Sequence, residues 1–181
     1  GFKRIYWFNY TRIKYFILTL NNSIRREEIT KNKISLLLPT KERSNKFKRM
    51  MNSLVSTVNE KSRIEILLLL DKNEIELDSY KNFINNDFKE YDIKIFIENI
   101  NTHAKRNNFL ATRSSGEILF PANDDMIFVT KYWDNLLDIE FSKNLPKDPL
   151  CVWVNSGNKY PYLFCHFPII NREWYKRLGY V

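Results

Sequence analysis

Between Ile34 and Val154 the chain alternates short, dense apolar runs with stretches of helical periodicity, and this alternation constrains its fold more than any other feature. Ile34-Ser-Leu-Leu-Leu38 reads as a buried strand ended by Pro39, which lacks an N–H for the ladder. Phe47, Met50, Met51, Leu54, Val55 and Val58 then recur at helical spacing, with Ser44 or Asn45 as the expected N-cap. Ile64 to Leu70 is a second strand, nearly all apolar, as expected when helices cover both sheet faces. Tyr80, Phe83 and Ile84 mark a short helix, and Ile93 to Ile97 a third strand. Ala104 to Thr112 reads as helix and Ile118-Leu-Phe120 as a fourth strand. Thr130 is the expected cap of a helix carrying Trp133, Leu136, Leu137 and Phe141, and Cys151-Val-Trp-Val154 is a fifth strand. Strands alternating with helices imply right-handed crossovers and an α/β fold with a mostly parallel sheet flanked by helices. In such sheets ligands bind where loops leave the carboxyl ends of strands. The loops to weigh therefore start at Pro39, Asp71, Glu98 and Asn123.

With 181 residues, 44% of them apolar, the chain has the material for one well-buried domain. Intrinsic disorder, collagen-like repeats and a disulfide scaffold are excluded on the same numbers. The formal charge of +8 is unevenly spread: residues 1 to 50 carry 13 basic and 3 acidic side chains, and residues 51 to 181 carry 16 and 18. The basic character belongs to the front end, and the body is close to neutral. Cys151 and Cys165 fit free thiols in a reducing compartment, so a cytoplasmic location is expected. No window holds the about 18 apolar residues of a membrane-spanning helix. The front end also lacks the length and small-residue cleavage site of a signal peptide. The chain starts at Gly1 rather than Met, as an excised piece of a longer protein would.

Asn123-Asp124-Asp125 follows the fourth strand directly. Adjacent carboxylates repel each other, and a divalent cation with oxygen ligands is the usual remedy. Mg²⁺ or Mn²⁺ held by one or two carboxylates, with water and substrate phosphates completing its shell, is common in diphosphate chemistry. The same triplet is also good turn and helix-capping material. Asp71, the first polar residue after the second strand, can accept hydrogen bonds from a base or ribose, or close an ordinary turn. In Thr102-His-Ala-Lys-Arg-Asn107, Lys105 and Arg106 can face a diphosphate or a base, or form a solvated basic turn.

Taken in order, these pieces resemble a known family. Leu38-Pro-Thr-Lys-Glu-Arg43, Ile64 to Asp71, Lys105-Arg-Asn-Asn108, Ser115-Gly-Glu-Ile-Leu-Phe120 and Asn123-Asp-Asp125 resemble the nucleotide-sugar half of family 2 glycosyltransferases, which have the GT-A fold. Tyr132-Trp133 and the Arg172 to Tyr180 stretch are similar to that family's acceptor-side segment and its Leu-Gly-Tyr/Phe turn. The resemblance implies a GT-A nucleotide-sugar-binding domain over residues 31–181, transferring a sugar from a UDP-sugar to a saccharide or lipid-linked acceptor with inversion. It implies that Pro39, Thr40 and Arg43 line the nucleotide pocket, Asp71 binds the base, and Lys105 or Arg106 helps hold the nucleotide. Asp124 would contact the ribose or the metal's waters, and Asp125 would ligate Mn²⁺ or Mg²⁺. A lipid-linked acceptor would bring the enzyme to the inner face of the membrane, and the family's products include surface and capsular polysaccharides. Three features depart from the pattern. Asn123 replaces an acidic residue, and Lys41-Glu42 stands where an aromatic residue and Asn are commoner. The family's catalytic base follows the Gly-Tyr/Phe turn, and Val181 ends this chain two residues after Gly179, so the base is expected beyond Val181 and the domain is expected to be cut short. Glu173 reads as a helix-surface residue and His166 as a packed one. The rival reading is a degenerate, non-catalytic transferase fold that serves as a nucleotide-binding or assembly module.

Residues 1–30 carry apolar side chains at three- and four-residue intervals, from Phe2, Ile5 and Tyr6 to Ile24, with Lys3, Arg4, Arg12, Lys14, Arg25 and Arg26 between them. The pattern predicts a basic amphipathic helical extension. Such a segment packs on its own domain or a second copy, or lies on an anionic membrane surface. No nucleic-acid-binding motif accompanies it, and nucleic acid is not an expected partner.

Overall fold

Apolar strands without a polar face need cover on both sides, and the chain provides it with helices. The computed structural model describes residues 31–142, 148–154 and 167–181. Within them run β1 (Ile34–Pro39), α1 (Ser44–Thr57), a 3₁₀ turn (Lys61–Arg63), β2 (Ile64–Leu70), α2 (Leu77–Asp87) and β3 (Asp92–Ile97). There follow α3 (His103–Ala111), β4 (Ile118–Pro121), α4 (Trp133–Ser142), β5 (Cys151–Trp153), β6 (Pro168–Asn171) and α5 (Arg172–Leu178). The expected extension over residues 1–30 lies outside the described residues, as do Cys165 and His166. No helix among the described residues is long and apolar enough to cross a membrane.

The described strands form one sheet in the order β3-β2-β1-β4-β6-β5. The first four are parallel, with Ile34 opposite Ile64 on one side of β1 and Ile118 on the other. Strands β6 and β5 run antiparallel, so the fifth expected strand is real but not part of the parallel series. The four-residue β6 lies between β4 and β5 and was not anticipated from its short Pro-Ile-Ile-Asn run.

Side-chain alternation divides the core. Leu36, Leu38, Ile66, Leu68 and Leu70 pack with Phe47, Met50, Met51 and Leu54 of α1 and Tyr80 of α2. Leu37, Leu67 and Leu69 face the other way, against Leu110 and Ala111 of α3. Each of these fully buried Leu and Ile side chains contributes about 1.5–3 kcal/mol by leaving water. Edge strand β3 alternates exposed and half-buried residues and places Asp92 and Lys94 in solvent, which blunts it against edge-to-edge pairing.

One charged residue interrupts the apolar run of β2. Glu65 is fully buried and accepts from Lys94 Nζ at 2.5 Å, Ser115 N at 2.9 Å and Ser115 Oγ at 3.0 Å, as well as from Ser35 Oγ. Burial pushes its carboxyl up, and the bonds from Lys94, Ser115 and Ser35 outweigh it, leaving the pKa lowered from 4.5 to about 2. Gly116 closes this knot by donating its N–H to Ser35 Oγ at 2.8 Å. A Cβ there would lie 2.6 Å from Ser35 Oγ, 2.7 Å from Lys33 O and 2.8 Å from Ser35 N. The Gly-Glu pair of the sequence motif is therefore a packing device: Gly116 permits the close approach, and Glu117 accepts from Lys33 N at 3.0 Å.

A second buried ionic cluster docks α4. Arg63 pairs with Asp134 at 3.0 Å and also with Asp138, and Asp134 takes the N–H groups of Asn59 and Glu60 at 2.9 and 3.1 Å. Thr130 does not cap this helix. It begins at Trp133, after Tyr132 has turned to φ 59°, with the Tyr132 carbonyl accepting from Asn135 N at 3.1 Å.

Two outcomes are expected. Gly116→Ala forces backbone apart and lowers stability by about 2 kcal/mol in urea unfolding. Glu65 is bound more weakly by protons in the folded chain than in the unfolded one. Its contribution is complete above pH 4.5 and is lost as pH falls towards 2, so the stability gap between wild type and Glu65→Gln closes over that interval.

Candidate functional site

Because β1, β2 and β4 are parallel, their carboxyl ends emerge at one edge, and Thr40, Asp71 and the Asn123–Asp125 turn meet there. The edge is held by backbone bonds from each exiting chain: Thr40 N to Leu69 O at 3.0 Å, Glu98 N to Leu70 O at 3.0 Å, and Ala122 N to Leu37 O at 2.9 Å.

The turn between β1 and α1 is built by the loop that follows β2. Glu42 adopts φ 52°, an uncommon conformation for a residue with a Cβ, and its N–H donates to Glu74 Oε2 at 2.8 Å. Arg43 N donates to Tyr80 Oη at 3.1 Å, and Ser44 N to Glu76 Oε2 at 2.6 Å. The N-cap position is Arg43 and its side chain makes no capping bond, so the expectation of Ser44 or Asn45 is corrected. Carboxylates from the loop after β2 and the Tyr80 phenol of α2 take the orphan N–H groups, and the Ser44 N–H holds Glu76 below its ordinary pKa. A phosphate therefore finds these N–H groups already occupied.

From this turn a relay of hydrogen bonds crosses to β4. Thr40 Oγ1 lies 3.2 Å from Tyr80 Oη and donates to Asp124 Oδ2 at 2.5 Å. A hydroxyl has one proton, so Tyr80 donates to Thr40 while accepting from Arg43 N. Burial raises the Tyr80 pKa, which keeps the phenol protonated for this role. Asp124 is buried, and Arg43 Nη1 stands 3.4 Å from its other oxygen. Asp125 differs: it is exposed and has no side-chain partner among the described residues.

Asp71 is also buried, and the two cations closest to it are Arg106, which donates to Oδ1, and Lys41, with Nζ 3.3 Å from Oδ2. Arg106 is fixed in turn by its Nε, which donates to Ile100 O at 2.8 Å. Thr102 caps α3 by accepting from Lys105 N at 3.3 Å, which brings Arg106 to Asp71. Lys105 stays exposed outside this cluster, with no side-chain partner among the described residues. Sequence reasoning missed Tyr80, read only as a core residue, and Lys41, read as a departure. Asn107 of α3 is buried with an Oδ1 that has no hydrogen-bond partner among the described residues. Glu173 forms an i,i+4 pair with Arg177 at 3.0 Å, as its helix-surface reading required.

The donor set suits a cation held by one or two carboxylates with substrate oxygens completing the shell. Asp125 is unengaged and Asp124 is oriented from behind by Thr40. It does not suit an all-protein cage, since no group of three or more His, Cys, Asp or Glu among the described residues could hold a metal.

No family model and no curated protein matches the chain. Solved structures do. The mannosyltransferase PcManGT from Pyrobaculum calidifontis, in complex with GDP-Man and Mn²⁺, superposes with TM-score 0.65 at 14% identity, covering 83% of this chain and 48% of its own. TarS from S. aureus in complex with UDP-GlcNAc gives 0.52 at 17% identity, covering 61% of this chain and 31% of its own. TarS 1-349 gives 0.57 at 14%, covering 80% and 48%. The chain spans about half or less of the length of these proteins. Its structural neighbours are nucleotide-sugar glycosyltransferases of GT-A type, and the chain has the GT-A glycosyltransferase fold.

Proposed function

We propose that the chain is the donor-binding part of a metal-dependent, inverting glycosyltransferase that uses a UDP-sugar and a saccharide or lipid-linked acceptor. The observation that carries this reading is the pairing of an exposed, unengaged Asp125 with a buried, oriented Asp124 at the carboxyl edge of the sheet. The fold adds support, because neighbours of the same architecture hold GDP-Man with Mn²⁺ or UDP-GlcNAc.

Each residue has a role in that reading. Asp71 accepts from the base, with Arg106 holding its carboxylate in place. Pro39 and Thr40 line the nucleotide through their backbone, and Arg43 adds positive charge between the turn and Asp124. Lys105 is free to meet phosphate oxygens. Asp124 meets the ribose or metal-bound water, and Asp125 ligates Mn²⁺ or Mg²⁺. When bound, the cation offsets the charge that develops on the nucleoside diphosphate leaving group. The acceptor oxygen attacks the anomeric carbon as the bond to the diphosphate breaks, and a carboxylate base takes the hydroxyl proton. The extension over residues 1–30 serves docking, on a membrane surface near a lipid-linked acceptor or on a second copy, and products of surface or capsular polysaccharide type fit such placement.

Isothermal titration of UDP, with and without Mn²⁺, on wild type and Asp125→Ala tests the assignment. Removing the metal or the carboxylate is expected to weaken binding by about tenfold or more, equivalent to about 1.4 kcal/mol. Equal affinity in all four titrations would remove Asp125 from the site.

A further inference from the structure

The two cations on Asp71 are not equivalent. Arg106 is only 20% exposed and is locked by its second bond to Ile100 O at 2.8 Å. Lys41 is 45% exposed, and its other neighbour is Glu42 Oε1 at 3.9 Å. With its ammonium half in solvent, Lys41 is held far less firmly than Arg106. Arg106 already neutralises the buried carboxylate, so the Lys41 ammonium keeps donors for a ligand. The backbone fixes where the Lys41 side chain starts: Thr40 N is tied to Leu69 O at 3.0 Å, and Glu42 N, at φ 52°, to Glu74 Oε2 at 2.8 Å. Lys41 Nζ lies 3.3 Å from Asp71 Oδ2, close enough for the two to meet the same ring edge.

We propose that Lys41 and Asp71 together read the base of the donor and select a ring edge on which an N–H stands beside a carbonyl. The inference rests on the donor-site reading above and makes Lys41 a specificity-determining residue. An ammonium only donates and a carboxylate only accepts. Uracil offers N3–H beside O4, and guanine offers N1–H beside O6, so either satisfies both members of the pair. With the ribose held, cytosine and adenine present the same two ring positions with donor and acceptor reversed. A bare ring nitrogen then faces the Asp71 carboxylate and an amino group faces the Lys41 ammonium, setting acceptor against acceptor and donor against donor. Sites that read hydrogen bonds in this way discriminate more strongly than apolar pockets do.

The test is titration of the full chain, with Mn²⁺ present, with UDP, GDP, CDP and ADP, repeated on Lys41→Met. The unaltered chain is expected to bind UDP or GDP at least about tenfold tighter than its amino counterpart CDP or ADP. Lys41→Met is expected to narrow that preference severalfold, with the same loss for UMP or GMP as for the diphosphate and an unchanged melting temperature, since Lys41 is exposed. A preference undiminished in Lys41→Met overturns the inference and leaves the donor site standing. A loss that grows from mono- to diphosphate assigns Lys41 to the phosphates and also overturns it. No binding of any of the four nucleotides to the unaltered chain removes the donor site itself.

Discussion

Strand β1 has a parallel neighbour on each side, β2 and β4, and a helical layer on each face. With no polar face available, its residues from Ile34 to Leu38 are all fully buried, and Ser35 is tolerated because its hydroxyl is spent on Glu65 and Gly116. Parallel pairing then dictates the rest. The three chains leave the sheet at the same edge, so the residues that follow Leu70, Pro39 and Pro121 are forced together whatever their identity. In this chain they are Asp71, Thr40 and the Asn123–Asp125 turn.

The two ends of β1 handle charge in opposite ways. At the amino end Glu65 is buried with enough donors, from Lys94, Ser115 and Ser35, to lower its pKa to about 2. That end is closed, a structural knot that sets the register of β1, β2 and the turn before β4. At the carboxyl end the turn after β1 is satisfied internally, through Glu74, Glu76 and Tyr80, while Asp125, Lys105 and much of Lys41 remain turned to solvent. At the carboxyl end the buried Asp71 and Asp124 thus stand beside exposed Asp125, Lys105 and Lys41.

Much of this was legible in the residues themselves. Runs such as Ile64 to Leu70 are too apolar for anything but a buried strand, and Phe47, Met50, Met51 and Leu54 leave α1 little choice of face. Asp71, Thr40 and Asp124 could be placed because strand ends are local features. The errors have a common cause in tertiary partners. Ser44 and Thr130 looked like caps, but α1 is capped by Glu76 from the loop after β2 and Tyr80 of α2, and α4 starts from the left-handed Tyr132. Short β6 is held by its neighbours β4 and β5 rather than by its own propensity. Gly116 looked like part of a binding motif and proves to be a contact point with Ser35 and Lys33. Lys41 and Tyr80 gained their place in the site only through folding, which brings Asp71 to the first and Thr40 to the second.

The central claim is that the carboxyl edge of this sheet holds a nucleotide through Asp71 and a divalent cation through Asp125. A crystal structure of the chain soaked with UDP and Mn²⁺, with data collected at the manganese absorption edge, tests it most directly. The account predicts an anomalous peak within coordination distance of the Asp125 carboxylate, shared with the diphosphate, and the uracil ring against Asp71 and Lys41. Nucleotide bound elsewhere, or manganese with no carboxylate from the Asn123–Asp125 turn in its shell, would contradict it.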